Sequence, residues 1–303
     1  MFHANRYHVK PVSIALLAFA LLFPAMEALA HPGSGIVVDR QGNVYFLDTG
    51  SGVWKIDKEG KLTKLAAPAY HWMAIDLDQS LATATLPSFS QGDATVTRDS
   101  GDPRIIVSSD FPITVGRDGA LYYGWTRGSG QLQVFRFAPS GATTVVKTLT
   151  SSATGKPLGW LNGVVATSDG SIYYTEDNAI RRIGPQGELT TVIANVTIST
   201  CDSLPDAGGP GPYLRGFDVD PQGTLYVAAT GCRAVLKITA DKQVTTVLQA
   251  SSPWSPTAVA VSGSDLYVLE YLHTPGDDRR EWLPRVRKVS SNGSVVTIAT
   301  IDR

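Results

Sequence analysis

The sequence predicts an all-β protein built from six repeats of four short strands, and three observations support this prediction. One pattern recurs along the chain: an apolar strand, a turn with Asp-Gly or Gln-Gly, an apolar and aromatic strand, then two further strands. The strands alternate apolar and polar residues, as half-buried strands do. No segment of useful length has helical periodicity. Four-stranded repeats of about 45 residues are typical of propeller blades, so the sequence predicts a six-bladed β-propeller.

The innermost strands of the predicted blades set their order along the chain. They begin near Gly35, Trp72, Pro112, Gly163, Gly216 and Ala258. The second blade is degenerate, and its four strands are predicted at residues 73–77, 81–85, 94–98 and 104–107. The last strand, residues 295–299, could complete either the sixth blade or the seam between the last blade and the first.

The first 30 residues have the features of an export signal. A positively charged start precedes the apolar run 12–22, and small residues ending at Ala30 fit a cleavage site. The run is too short to cross a membrane comfortably, although a retained anchor is the alternative. We expect residues 1–30 to be removed and residues 31–303 to form one propeller domain. The mature protein is then periplasmic or secreted, with no membrane span.

The charge of the chain limits its possible partners, and its two cysteines suggest a disulfide. The chain carries 26 basic and 27 acidic residues, and no basic patch suggests nucleic acid. We expect a monomer that binds a small molecule or an envelope protein. Cys201 and Cys232 are expected to form a disulfide in an oxidising compartment, the alternative being a free thiol pair.

The long connections of the predicted blades share one face, which is where function usually lies on a rigid scaffold. The residue before each innermost strand should surround the channel mouth on that face. This set varies while the strand pattern is kept, which suggests a pocket: Ser34, His71, Phe111, Asn162, Arg215 and Thr257. A second set closes each second strand: Asp48, Thr85, Trp125, Glu176, Ala229 and Glu270. Its carboxylates either cap backbone N–H groups at the blade edge or serve a site.

The repeat resembles the NHL repeat over essentially all of residues 35–299. Blades four and five are also similar to the SMP-30/gluconolactonase and strictosidine-synthase-like propellers, through Leu161-Asn162-Gly163-Val164 and Ile172-Tyr173-Tyr174. In the lactonases, the Asn of that Asn-Gly pair binds a divalent metal together with a Glu of blade one and an Asp of blade five. Only the Asn carries over, to Asn162, which could equally cap the following strand. Ser34 and Arg215 stand at the other two positions, and an arginine repels a cation.

Three histidines fall on the long-loop face: His31, His71 and His273. An N-terminal amine with two imidazoles suits copper or zinc, so a divalent metal is one possible cofactor. His71 could instead be a general acid or base, with Arg215 holding an anionic group. The structural alternatives are a capping role for His71 and pairing of Arg215 with a carboxylate, that of Asp202, Asp206 or Glu176.

Two functions are therefore predicted for the same pocket. The first is an exported NHL-type propeller that binds a small molecule or a protein partner at the channel mouth. The alternative is a lactonase-like hydrolase or lyase without the standard metal triad, with His71, Glu176 and Glu270 as its catalytic residues. Trp125 and the six residues of the mouth would line the pocket. Trp282 would form an aromatic rim together with Trp160 and Trp254.

Overall fold

The computed structural model describes residues 32–81, 95–97, 103–109, 111–127, 131–199, 201, 211–272 and 282–302. The predicted export signal, His31 and His273 lie outside these residues. Within them, no helix has the length and apolar character needed to cross a membrane.

The described residues form 23 β-strands in six antiparallel sheets. The first sheet contains β1 Ile36–Val38, β2 Val44–Asp48, β3 Gly52–Ile56 and β4 Leu62–Lys64. The second contains β5 Trp72–Asp76, β6 Thr95–Thr97 and β7 Arg104–Ser108. The third contains β8 Ile113–Val115, β9 Leu121–Arg127, β10 Gln131–Phe137 and β11 Thr143–Leu149.

The remaining three sheets also have four strands each. The fourth contains β12 Gly163–Ala166, β13 Ile172–Glu176, β14 Ala179–Ile183 and β15 Leu189–Ile193. The fifth contains β16 Leu214–Val219, β17 Leu225–Ala229, β18 Ala234–Ile238 and β19 Val244–Gln249, with a short 3-10 helix at Thr230–Cys232. The sixth contains β20 Trp254–Ser262, β21 Asp265–Leu272, β22 Pro284–Val289 and β23 Val295–Thr300.

The turns form where the sequence supplies local hydrogen bonds and a left-handed residue. In the turn between β12 and β13, Gly170 has a φ of 84°, which costs glycine little. The Asp169 carboxylate accepts hydrogen bonds from the Thr167 hydroxyl and the Ser171 N–H. These bonds lower the pKa of Asp169 to about 2, the Thr167 hydroxyl having the largest effect.

The first strand of each sheet lies next to the first strand of the following sheet, and β20 lies next to β1. These six inner strands surround a central channel. Side chains of the first and sixth sheets share one apolar core, which includes Phe46, Leu269 and Tyr271. The Tyr271 hydroxyl donates to the Leu47 carbonyl at 2.7 Å and links the two sheets directly. The predicted all-β propeller with four-stranded antiparallel blades is therefore confirmed for five sheets. The strand β23 pairs with β22 and so completes the sixth sheet.

The second sheet departs from the predicted order of strands. In the described residues its order is β5-β7-β6, so β7 pairs directly with β5. The Asp76 carboxylate at the end of β5 accepts the N–H groups of Ser80 and Leu81, which turns the chain there. Asp76 also forms an ion pair with Arg104 at 3.9 Å, which holds β7 beside β5. Residues 82–85 of the predicted second strand lie outside the described residues.

The predicted disulfide between Cys201 and Cys232 is confirmed. The two Cα atoms are 4.6 Å apart, across 31 residues of sequence. The bond fastens the connection between β15 and β16 to the short helix that follows β17. Beside it, the Gly231 N–H donates to the Pro212 carbonyl at 2.8 Å.

Candidate functional site

Two β-bulges lie at the channel mouth, the end of the channel where the inner strands begin. The pairing of β16 with β17 shifts between Leu214 and Phe217, and that of β20 with β21 shifts between Pro256 and Ala258. A bulge turns the extra residue out of the regular pleat. The first bulge contains Arg215, and the second contains Thr257.

Both bulge residues bind the segment of chain that leads into the first sheet. Nη2 of Arg215 donates to the Pro32 carbonyl at 2.6 Å. The Thr257 hydroxyl, which is fully buried, donates to the Gly33 carbonyl at 2.7 Å. Thr257 therefore joins the sixth sheet to the first and does not line the predicted pocket, because its hydroxyl already serves a buried carbonyl.

Arg215 is a buried cation whose only described partner is uncharged. The residue is 9% exposed, and burial lowers the pKa of its guanidinium. No carboxylate of the described residues lies within ion-pairing distance of it, and Glu176 binds elsewhere. Asp202 and Asp206, the other predicted partners, lie outside the described residues. An arginine remains charged in proteins, so a buried one without a counter-ion is costly.

Ser34 follows the same segment and contacts His71 of the second sheet. The Ser34 N–H donates to the His71 carbonyl at 2.6 Å. The Ser34 hydroxyl oxygen is buried and has no hydrogen-bond partner among the described residues. Nδ1 of His71 lies 2.7 Å from the Ser109 carbonyl. A carbonyl only accepts, so Nδ1 carries the proton, and Nε2 is the basic nitrogen of the neutral ring.

Asn162 joins the fourth and fifth sheets. Its Nδ2 donates to the Leu214 carbonyl at 2.8 Å, and its Oδ1 lies 3.4 Å from the Tyr213 hydroxyl. Its own carbonyl lies 3.4 Å from the indole Nε1 of Trp72, which reaches across from the second sheet. The side-chain amide is thus engaged in bonds between blades, and neither of these bonds caps the strand β12 that follows Asn162.

The aromatic residues at the mouth differ from the predicted set. Phe111 is 1% exposed and packs against Tyr123 and Trp125 in the core of the third sheet, with ring centroids 5.3 Å from each. Trp282 is buried in the core shared by the first and sixth sheets, so it forms no rim. Both rings are large apolar surfaces that the blade interfaces bury.

Of the predicted rim, only Trp160 is strongly exposed. Its ring lies 5.4 Å from that of Trp72, which in turn lies 5.6 Å from the ring of His71. The third predicted rim residue, Trp254, lies under the guanidinium of Arg285 at 4.1 Å.

The two glutamates predicted as catalytic residues lie in different sheets from His71 and from each other. Glu176 is buried at the end of β13 and accepts the N–H of Ala153, and its Oε2 has no partner among the described residues. Burial raises its pKa. Glu270 is fully buried in ion pairs with Arg285 and Arg287. The structure does not bring the three side chains together into one constellation.

The channel itself is a cavity of about 230 Å³ between the six inner strands. Of the six predicted mouth residues, only Ser34 lines it. Among the described residues, its other lining residues are apolar except for Thr114 and Asp218. The carboxylate of Asp218 accepts the Val219 N–H and, from the next sheet, the Val261 N–H, both at 2.8 Å. Burial raises the pKa of Asp218 to about 6, although the side chain faces the cavity.

Replacing Asp218 by threonine is expected to stabilise the protein near pH 7.5 but not near pH 4. The folded-state pKa is raised, so this carboxyl favours folding below its unfolded pKa, 3.8, and that contribution is lost as the pH rises through about 6. With allowance for screening by the cavity, the difference in unfolding free energy is about 2 kcal/mol. Threonine suits the site because Thr114 occupies the equivalent position of the third sheet and contacts the Ala166 N–H at 3.4 Å. Urea unfolding at the two pH values measures the effect, and an equal effect at both would contradict it.

Sequence reasoning missed Trp72, Tyr213 and Asp218. A signal for Asp218 was present, because the equivalent positions of the other inner strands are uncharged: Val37, Ala74, Thr114, Val165 and Ala260. Trp72 and Tyr213 act through contacts between blades, which the repeat pattern does not encode.

No set of three or more metal-binding side chains occurs within the part of the chain that the structure describes. The positions of the lactonase metal triad hold the Arg215 guanidinium, the Ser34 hydroxyl and the Asn162 amide. A cation would meet the positive charge of Arg215 there.

The fold and the site together define a β-propeller with a buried cation at its channel mouth, and solved structures agree on the fold. A luciferin-regenerating enzyme is 15% identical with a TM-score of 0.54, over 90% of this chain and 93% of that chain. Regucalcin from Agrobacterium tumefaciens, a calcium-binding protein, is 16% identical with a TM-score of 0.53, over 82% and 85%. A streptogramin B lyase is 14% identical with a TM-score of 0.50, over 91% and 86%. At these identities the likeness concerns the fold alone. No family model matches the sequence, and a comparison with curated proteins finds no significant match.

Proposed function

We propose that this protein is an exported, six-bladed, NHL-type propeller that binds a small anionic molecule at its channel mouth. In this proposal the three-stranded second sheet is a degenerate sixth blade. Residues 1–30 are removed on export, and residues 31–303 act as a monomer in the periplasm or outside the cell. The Cys201–Cys232 disulfide supports an oxidising compartment.

The observation that carries the proposal is the buried Arg215 without an anionic partner among the described residues. Only one of its N–H donors is used there, by the neutral Pro32 carbonyl. A carboxylate or phosphate would offset the buried charge and accept the remaining donors in a forked geometry. The position at a channel mouth makes this arginine a ligand anchor.

Ser34 adds a second donor two residues after Pro32, the residue that Arg215 binds. Its buried hydroxyl lacks a partner among the described residues, and Ser34 is one of the residues that line the cavity. Buried hydroxyls are normally hydrogen-bonded, so an oxygen of the ligand would complete this one. The donors are recessed between sheets, and this favours a small molecule over the envelope protein that the sequence also allowed.

Loss of the charge at residue 215 is expected to abolish most of the binding. The test is calorimetric titration of the purified protein with acetate, 2-naphthoate, gluconate and inorganic phosphate. In Arg215→Gln, the affinity for each anion that binds should fall at least about 30-fold, because a charged hydrogen-bonded contact is lost. Arg40→Gln is the matched control, since Arg40 is exposed and pairs with Asp78. Unchanged affinity in Arg215→Gln, or no binding of any anion, would overturn the proposal.

The second candidate function, a hydrolase or lyase, is favoured by one observation at His71. The Ser109 carbonyl orients its ring so that the basic Nε2 is directed away from that bond. Lactone or ester hydrolysis by the wild-type protein that is lost in His71→Gln would support this candidate. Equal rates in both proteins would exclude His71 as its base.

A further inference from the structure

Trp160 lies at the same end of the channel as the proposed anion site and has a large exposed surface. Among the described residues, the large apolar side chains with strong exposure are Val145, Trp160 and Val296. Val145 and Val296 lie on β11 and β23, the outermost strands of their sheets. Trp160 differs because it is 46% exposed at the channel mouth, and tryptophan is usually covered in a folded protein.

The connection that carries Trp160 is held firmly at several points. The Glu176 carboxylate accepts the N–H of Ala153, and Nη1 of Arg181 donates to the Ser151 carbonyl at 2.7 Å. Nearer the tryptophan, the Thr126 hydroxyl donates to the Gly159 carbonyl at 3.2 Å. The exposed indole is therefore presented by an anchored segment.

Leu161, the residue after Trp160, also anchors this connection. Leu161 is buried, and it packs so closely on Gly124 that a Cβ at residue 124 would lie 2.6 Å from a Leu161 methyl carbon. The absence of a side chain at Gly124 leaves the space for Leu161. The packing of Leu161 against the third sheet thus fixes the backbone next to Trp160.

Trp160 and Arg215 are connected by one short chain of contacts. The Trp160 ring packs on Trp72, and Trp72 bonds to the Asn162 carbonyl. The Asn162 amide bonds to Leu214, which directly precedes Arg215. Trp160 and Arg215 therefore lie at the same end of the channel, and a ligand that covered both would combine a flat ring with an anionic group.

We propose that the ligand of the channel mouth is an acid with a flat ring system that stacks on Trp160 while its anionic group binds Arg215. This inference rests on the proposed anion-binding function and adds the class of ligand. The rigid indole supplies stacking area at little entropic cost. The anchored connection sets the distance between the ring and the charge.

The test compares acids of equal charge that differ in shape. The probes are 2-naphthoate, decanoate, acetate and the uncharged 2-naphthol, titrated into the wild-type protein, Trp160→Leu and Trp160→Phe. The wild-type protein should bind 2-naphthoate about tenfold more tightly than decanoate. Trp160→Leu should lose this preference and leave acetate binding unchanged, and Trp160→Phe should keep most of it. Val296→Ala, at an exposed residue of an outer strand, should behave as the wild type does.

The outcomes separate this inference from the proposed function. Equal affinity of the wild-type protein for 2-naphthoate and decanoate would overturn the ring preference, as would an unchanged preference in Trp160→Leu. Equal binding of 2-naphthol and 2-naphthoate would show that the negative charge of the ligand does not contribute to binding, and it would overturn both proposals. If all the acids bind, and binding is lost in Arg215→Gln but unaffected by substitution of Trp160, the anion site is supported and only the ring preference is overturned.

Discussion

Replacing Glu270 by alanine is expected to lower the free energy of unfolding by about 3 to 5 kcal/mol. Glu270 is fully buried on β21, directly opposite Arg285 on β22. Its carboxylate accepts the Nε–H of Arg285, and its other oxygen lies 3.6 Å from Nη1 of Arg287. The substitution leaves two largely buried guanidinium groups without their shared anion, and such a loss costs far more than an ion pair normally contributes.

Denaturant unfolding of the purified protein measures this effect. The matched control is Glu59→Ala, because Glu59 is exposed and forms an ion pair with Lys58 at 3.7 Å. An exposed pair of this kind contributes less than about 1 kcal/mol. A loss below about 1 kcal/mol in Glu270→Ala would show that the carboxylate is not a structural anion. It would then return Glu270 to the candidates for catalysis.

Removing the disulfide is expected to cost about 3 to 4 kcal/mol of unfolding free energy. The bond between Cys201 and Cys232 closes a loop with a sequence separation of 31 residues. In the chain-entropy account, a loop of this length restricts the unfolded chain by that amount. Cys232 is also fully buried, so alanine is a better replacement at that position than serine.

Unfolding with and without a reducing agent gives the measurement and its control. The wild-type protein should lose stability when it is reduced. The double variant Cys201→Ala with Cys232→Ala should have the same low stability with and without the reducing agent. A double variant as stable as the oxidised wild type would contradict the prediction. The connection that enters β16 would then be held by its hydrogen bonds alone, such as Gly231 to Pro212.

Local pattern was enough to predict most of the fold. Alternation and Asp-Gly or Gln-Gly turns locate strands such as β13 and β17 closely, because hydrogen bonds within four residues set those turns. The second sheet could not be predicted in this way. The ion pair of Asp76 with Arg104 spans 28 positions of sequence and places β7 beside β5, and a repeat pattern contains no information about such a pair.

The candidate site was predicted only in outline. Alignment of the repeats identified Ser34, His71 and Arg215 at the mouth, because those positions vary where the strands do not. It also included Phe111 and Thr257, which the structure buries for packing and for a bond to Gly33. Whether a varied position faces a recess or a core depends on bulges and on the neighbouring blade, and both are tertiary features.

The amino-acid pattern was enough to predict an all-β chain of repeated strands, the pairing of its two cysteines and the end of the propeller where variation concentrates. These follow from periodicity, turn chemistry and the repeat, which act over short distances along the chain. The three-dimensional structure was needed to find that Arg215 is buried without an anion among the described residues. It also showed that Glu270 forms ion pairs with Arg285 and Arg287, and that Trp160 is an exposed aromatic residue at the mouth. The physical reason is that burial and charge pairing arise between blades, where residues far apart in sequence meet.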